Sequence, residues 1–205
     1  LGNLSDPLLL EKSFADPRNS KDQMNFKNHD LNYETIFDQN SLNQLFKIIS
    51  NKSLVAFDTE TTSLNTREAK LVGISFSWEV GSGAYIPIAH VNDVENGPKQ
   101  IPVDIVIKLL KPWFENPNIS KLAHNLKYDQ HILENYGISL NGVLHDTLLQ
   151  SYVLEAHRRH DLESLAKRHL NREGLTYDQL TGKGKKRIGF EEVSIKIASQ
   201  YSCED

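Results

Sequence analysis

Four apolar residues, Leu54-Val55-Ala56-Phe57, run without a break into Asp58-Thr59-Glu60-Thr61. An apolar run of this length predicts a strand, and its composition predicts a strand buried near the centre of its sheet. The two acids then stand at the strand's end. Residues two apart in a strand face the same side, so Asp58 and Glu60 can point at one ion. Taken alone, an Asp-x-Glu pair is as readily two solvated acids at a strand end.

The rest of the chain supplies partners for that strand. Residues 31 to 205 carry sustained apolar periodicity, whereas residues 1–30 are rich in Asn, Asp, Ser, Lys and Pro and predict a linker or poorly structured segment. A short strand is expected near Tyr33 to Phe37, and a helix through Leu42, Leu45, Phe46 and Ile49. Val72, Ile74, Phe76 and Trp78 alternate with small or polar residues up to Gly81-Ser82-Gly83, and Ala84, Ile86 and Ile88 resume the alternation, which predicts a hairpin. Pro87 lacks an N–H, so the second arm is expected at a sheet edge. A helix over 103–114 with Pro102 at its first position, short strands at 121–123 and 143–145, and helices from Asn125 and Asp146 follow. Leu162, Leu165, Ala166 and Leu170 mark another helix, and Val193, Ile197, Ala198 and Tyr201 a last one. Strands come first and helices later, so the expected class is α/β, with a mixed sheet flanked by helices.

Composition excludes several functions. No apolar run approaches the roughly 20 residues of a membrane span, and the single cysteine, Cys203, rules out a disulfide framework. The opening residues show no secretory signal pattern, so the expected compartment is the cytoplasm. A net charge of −4 has the wrong sign for a protein that grips long nucleic-acid backbones by charge alone. It suits an enzyme that holds a few terminal nucleotides beside a cluster of metal-binding acids. His90, His131, His145, His157 and His160 have no Cys or His partner at zinc-like spacing.

Two further segments carry acids in matching contexts. In His124-Asn125-Leu126-Lys127-Tyr128-Asp129 a short strand gives way to a helix, whose first turn favours Asp129 electrostatically even without a ligand. Asn125 has a similar plain alternative as a helix N-cap. In Tyr201-Ser202-Cys203-Glu204-Asp205, the tyrosine and the last aspartate are four apart and share a helix face. Together, Asp58, Glu60, Asp129 and Asp205 would form a cage suited to hard divalent cations, which prefer oxygen ligands. Two such ions about 3.5–4 Å apart can stabilise the attacking and leaving oxygens of a phosphodiester displacement. A neutral tyrosine hydroxyl, with a reference pKa of about 10, can orient the attacking water.

These three segments resemble the exonuclease motifs of the four-carboxylate superfamily, in its tyrosine-containing branch; the histidine branch would place His at position 200, which is Gln. Leu71-Val72-Gly73-Ile74-Ser75-Phe76, Ala84-Tyr85-Ile86-Pro87-Ile88-Ala89-His90, His160-Asp161-Leu162-Glu163-Ser164-Leu165-Ala166 and Gly182-Lys183-Gly184-Lys185 extend the likeness. Over residues 31 to 205 the chain resembles the 3′-to-5′ proofreading exonuclease domains of bacterial DNA polymerase I. The resemblance implies a ribonuclease H-like fold, and a domain at 31–205 that is truncated at its C-terminal end. It implies hydrolysis of terminal phosphodiesters of DNA, releasing nucleoside 5′-monophosphates during replication and repair. Asp58, Glu60 and Asp205 would hold one Mg²⁺, and Asp58 and Asp129 a second, with Mn²⁺ or Zn²⁺ able to substitute. Tyr201 would position the nucleophile. Leu64, Asn125, Tyr128, Arg159 and Tyr177 match positions that contact the terminal nucleotides, with Tyr177 standing where Phe is frequent and His124 where Gln is frequent. The implied partners are a single-stranded or frayed DNA 3′ end and a polymerase domain of the same parent chain, with no membrane and a monomeric state. Two rivals stand beside this reading: an RNA-trimming exonuclease of the same superfamily, and a non-catalytic domain that braces a polymerase.

Overall fold

The computed structural model describes residues 31–91 and 99–205, so the linker expected at 1–30 lies outside the described residues. Six strands and seven α-helices occur there: β1 (Asn32–Thr35), α1 (Gln39–Ser50), β2 (Leu54–Thr61), β3 (Leu71–Glu79), β4 (Ser82–Pro87), α2 (Val103–Phe114), β5 (Ser120–Ala123), α3 (Leu126–Asn135), β6 (Val143–Asp146), α4 (Thr147–Leu154), α5 (Leu162–Leu165), α6 (Tyr177–Thr181) and α7 (Ile195–Glu204). They form one mixed sheet in the order β1-β4-β3-β2-β5-β6. The β2–β3 and β3–β4 pairs are antiparallel; β1–β4, β2–β5 and β5–β6 are parallel. The strand that ends in acids is therefore interior, as its apolar run predicts.

Each face of the sheet has its own core. On one, Val55, Phe57, Ile74, Phe76 and Ile86 pack against α1, α2 and α3. Phe57 meets Phe114 edge to face at 5.2 Å, and Phe76 meets Trp113 at 5.4 Å. Burying each such side chain contributes about 1.5–3 kcal/mol, so this face supplies most of the stability. The other face carries a smaller cluster of Val72, Tyr85, Phe190, Val193 and Ala198, which seats α7. Local signals set the helix starts: Asp38 caps α1 by accepting from the N–H groups of Asn40 and Ser41 at 2.8 and 3.0 Å.

Several local expectations need correction. β4 is not an edge strand, because β1 covers it over 82–85; Pro87 lies beyond that pairing, where its missing N–H leaves no β1 carbonyl unpaired. The first strand ends at Thr35, before Phe37. Pro102 is the N-cap of α2, one position ahead of the expected place. The helix expected through Leu162 to Leu170 is one short α-helix, α5, continued by a π-helical turn over Ala166–Leu170.

One glycine has a specific packing duty. A Cβ on Gly73 would stand 2.1 Å from the Tyr85 hydroxyl, since the Tyr85 ring crosses over β3 at that point. Tyr85 is fully buried, so its ring cannot swing into solvent. Gly73→Ala is expected to destabilise the protein by about 1–3 kcal/mol through overpacking. Urea denaturation tests this, and a change under about 0.5 kcal/mol, the range of a surface substitution, would refute it.

Candidate active site

Strand alternation sends Phe57 and Thr59 to the α1–α3 face and Asp58 and Glu60 to the α7 face. The residues opposite these acids on β3 are small: Ser75 pairs with Asp58, and Gly73 with Glu60. Thr59, between the two acids, reaches α3, where its N–H and hydroxyl both donate to Asp129 Oδ1 at 3.1 and 2.6 Å. From the other side α7 brings Ser202, whose Oγ donates to Glu60 Oε1 at 2.7 Å. The Tyr201 hydroxyl stands near the Asp205 carboxylate, four residues on, close enough that each shifts the other's proton affinity. Three distant stretches of chain thus meet at the end of β2.

Their proton affinities record how close the charges stand. Burial, then the charges of Asp129, Glu60 and Asp205, push Asp58 well above the usual carboxylate range. Burial raises Glu60 to about 8 against the opposing bond from Ser202. Burial likewise raises Asp129 to about 7, although Thr59 stabilises its charge. Asp205, more open to solvent than the other three, rises to about 6, chiefly through partial loss of water around its carboxyl. Tyr201 moves far above the ordinary tyrosine value and stays a neutral hydroxyl. Among the described residues, no lysine or arginine forms an ion pair with any of the four acids. Such clustering of carboxylates without cationic partners, with Glu60 and Asp129 buried, favours protons or a cation as the balancing charge.

The donor set therefore fits a hard divalent cation, being all oxygen and anionic. Its spacing is more open than a closed ligand shell: among the described residues no three acidic, histidine or cysteine side chains converge tightly enough to grip one ion. Two of the four carboxylates are held on hydroxyls, by one oxygen each. Asp58, Tyr201 and Asp205 also line a cavity of about 500 Å³ together with His124, while Glu60 and Asp129 are not part of its wall.

The remaining sequence candidates separate into two groups. Tyr128 and Tyr177 lie close enough to the acids to feel the charge of Glu60, after the larger effect of burial. Tyr128 donates to the Ser63 carbonyl at 2.7 Å and is bonded to the Thr61 hydroxyl. Tyr177 stacks on Phe190 at 6.4 Å, and Phe190 in turn packs on Tyr201. Leu64, 92% exposed on the loop after β2, projects into solvent. Arg159 is exposed and paired with Asp161 at 3.0 Å. Asn125 is exposed and left-handed, with φ of 63°, and its side chain caps nothing. The cap comes instead from Asp146, whose carboxylate accepts from the N–H groups of Asn125 and Leu126 and also of Leu148 and Leu149. Sequence reasoning missed Asp146, Thr59 and Ser202; of these only Asp146, at a strand-to-helix junction, carries a local signal.

Similarity to known proteins fits this arrangement. A family model described as 3′-5′ exonuclease matches residues 33–205. DNA polymerase I of Pseudomonas aeruginosa is 37% identical over 179 residues, covering 86% of this chain and 19% of that protein. DNA polymerase I of Rhizobium leguminosarum is 35% identical over 189 residues, covering 84% of this chain and 18% of that protein. The chain belongs to the 3′-5′ exonuclease family, in the form found in DNA polymerase I, and so is a nuclease domain. It spans about a fifth of the length of these relatives. Among solved structures, Brucella melitensis NrnC with bound Mg²⁺ matches with a TM-score of 0.57 at 18% identity, covering 86% of this chain and 75% of that one. That likeness extends to the fold, which is the expected ribonuclease H-like sheet. Among the described residues, no helix is long and apolar enough to cross a membrane.

The raised proton affinities set a pH dependence. A carboxyl whose folded pKa exceeds its unfolded value contributes stability below the unfolded value, and loses it as pH rises through the folded one. For Glu60 that window runs from 4.5 to about 8, and for Asp129 from 3.8 to about 7. His124, lowered by burial from 6.5, acts in the opposite direction only below that value. In EDTA the melting temperature should therefore fall between about pH 6.5 and 8, and Mn²⁺ should reverse the fall. A metal-free melting temperature that is flat or rising over this range would contradict the account.

Proposed function

We propose that this domain is a metal-dependent 3′-to-5′ DNA exonuclease that trims a single-stranded or frayed primer end, releases nucleoside 5′-monophosphates and serves as the proofreading part of a polymerase. The observation that carries the reading is the gathering of four carboxylates without cationic partners from β2, α3 and the end of α7, with Glu60 and Asp129 buried, Asp58 half-buried and Asp205 open to solvent, beside a neutral tyrosine hydroxyl. Family membership and relatives named DNA polymerase I support the assignment to DNA.

In this reading Asp58, Glu60 and Asp205 hold one divalent cation, and Asp58 and Asp129 a second, with Mg²⁺ the expected species. When bound, the pair supplies positive charge at the attacking and leaving oxygens of the phosphodiester. Asp58 would serve both positions, since the charges of Asp129, Glu60 and Asp205 all act on it. Ser202 and Thr59 hold Glu60 and Asp129 by one oxygen each. Tyr201 orients the attacking water through a hydroxyl that does not ionise at any working pH. Tyr128, Tyr177, Leu64, Asn125 and Arg159 contact the terminal nucleotides: the rings and Leu64 offer apolar surface to bases, and Arg159 a charge to phosphate.

Single-stranded DNA should be degraded from its 3′ end only in Mg²⁺ or Mn²⁺, and Asp58→Ala should abolish the reaction. A variant that keeps more than about a tenth of the wild-type rate, a barrier change under about 1.4 kcal/mol, excludes the bridging role. The same assay on RNA of equal sequence decides the polynucleotide, since faster loss of RNA would favour an RNA-trimming enzyme. Tyr201→Phe should lower turnover while metal affinity, titrated by Mn²⁺ binding, stays nearly unchanged. Equal turnover in the two proteins would return Tyr201 to a packing role alone.

A further inference from the structure

The segment Ala84-Tyr85-Ile86-Pro87-Ile88-Ala89-His90 is unexplained by the acids, yet it ends on a buried histidine, 2% exposed. His90 Nδ1 lies 2.9 Å from the Val193 carbonyl oxygen, and Nε2 lies 2.7 Å from the Tyr85 hydroxyl. A carbonyl only accepts, so Nδ1 carries the proton. In the neutral ring Nε2 is then bare and accepts from the tyrosine. The imidazole is locked in one tautomer between β4 and the segment that leads into α7.

Both ends of this bridge touch the active-site scaffold. Tyr85 crosses over Gly73, which pairs in register with Glu60. Val193 lies two residues before the start of α7, the helix that carries Tyr201 and Asp205. The His90 backbone is itself clamped by the Gln100 amide, which donates to His90 O at 2.7 Å and accepts from His90 N at 2.8 Å. Val91 N–H donates to the Glu191 carbonyl at 2.8 Å, and Phe190 packs between the His90 and Tyr201 rings at 5.9 and 6.1 Å. These contacts tie the entry of α7 to the end of β4.

Building on the exonuclease reading, we propose that His90 is a positioning residue: its bridge from Tyr85 to Val193 sets the height of α7 over the sheet, and so where Tyr201 and Asp205 stand relative to Asp58 and Glu60. His90 touches neither substrate nor cation. It acts through the helix, whose displacement by one residue would be about 1.5 Å, enough to misplace a water-orienting hydroxyl.

His90→Leu removes both bonds and keeps an apolar side chain of comparable bulk, whereas His90→Gln keeps a donor for Val193 and an acceptor for Tyr85 in one amide. Tyr85→Phe removes one bond and serves if His90→Leu does not fold. For each folded variant, kcat and KM on single-stranded DNA with Mg²⁺ are compared with hydrogen exchange of the α7 amides in metal-free buffer. His90→Leu, or Tyr85→Phe in its place, should lower kcat by about 10- to 100-fold, as expected of an ångström-scale misplacement, with KM little changed. It should speed exchange in α7 but not in β2 or β3, and His90→Gln should recover most of both losses. A kcat within twofold of wild type, exchange that rises uniformly across the sheet, or His90→Gln failing as badly as His90→Leu would each overturn the proposal. If the wild-type protein cleaves nothing, the exonuclease reading fails instead, and the exchange pattern alone decides the tether.

Discussion

Gathering carboxylates of like charge in a desolvated place costs free energy, and everything around β2 in this domain is arranged to hold that cluster together. Each acid departs upward from its ordinary proton affinity, first because water is withdrawn and then because its neighbours are anionic. Removing a cation from such a site leaves protonation as the remaining way to relieve repulsion. The restraint comes from neutral donors. Thr59 gives both its N–H and its hydroxyl to Asp129, and Ser202 gives its hydroxyl to Glu60. A donor from one segment holds an acid of another, β2 reaching α3 and α7 reaching β2, so the three segments are stitched together.

The stitching needs a rigid frame with room on one face. The large aromatic core of Phe57, Phe76, Trp113 and Phe114 lies wholly on the α1–α3 side. There it fixes β2 and β3 without intruding on the acids. On the opposite face, small residues stand where the acids and α7 come close to the sheet: Gly73 and Ser75 oppose the acids, and a Cβ at Gly83 would crowd Cys203 to 3.1 Å. A helix can therefore lie close enough for Ser202 to reach the sheet. The candidate nucleotide contacts show the complementary pattern. Leu64, Asn125, Tyr177 and Arg159 are exposed around the rigid centre, as groups must be if an incoming strand is to meet them.

The sequence by itself determined the elements and the acids. An apolar run ending in Asp58 and Glu60 placed two carboxylates on one side of an interior strand, and helical spacing joined Tyr201 to Asp205, because both facts depend only on the periods of strand and helix. The strand-to-helix junction offered Asp129 as a further candidate, and resemblance to a known family named the chemistry. The order of the strands was not legible in the same way. Pro87 argued for an edge, and only the short reach of β1, which stops pairing at Tyr85, makes an interior β4 acceptable. The donors Thr59 and Ser202 were equally hidden. Their bonds span 70 and 142 residues of chain, and a serine or threonine shows no periodic signal of what it will meet once distant elements pack. The His90 bridge, spanning 103 residues to Val193, is of the same kind. Tertiary structure alone decided these contacts, because a side-chain hydrogen bond works over about 3 Å, and that closeness is created by packing two sheet faces rather than by any local pattern.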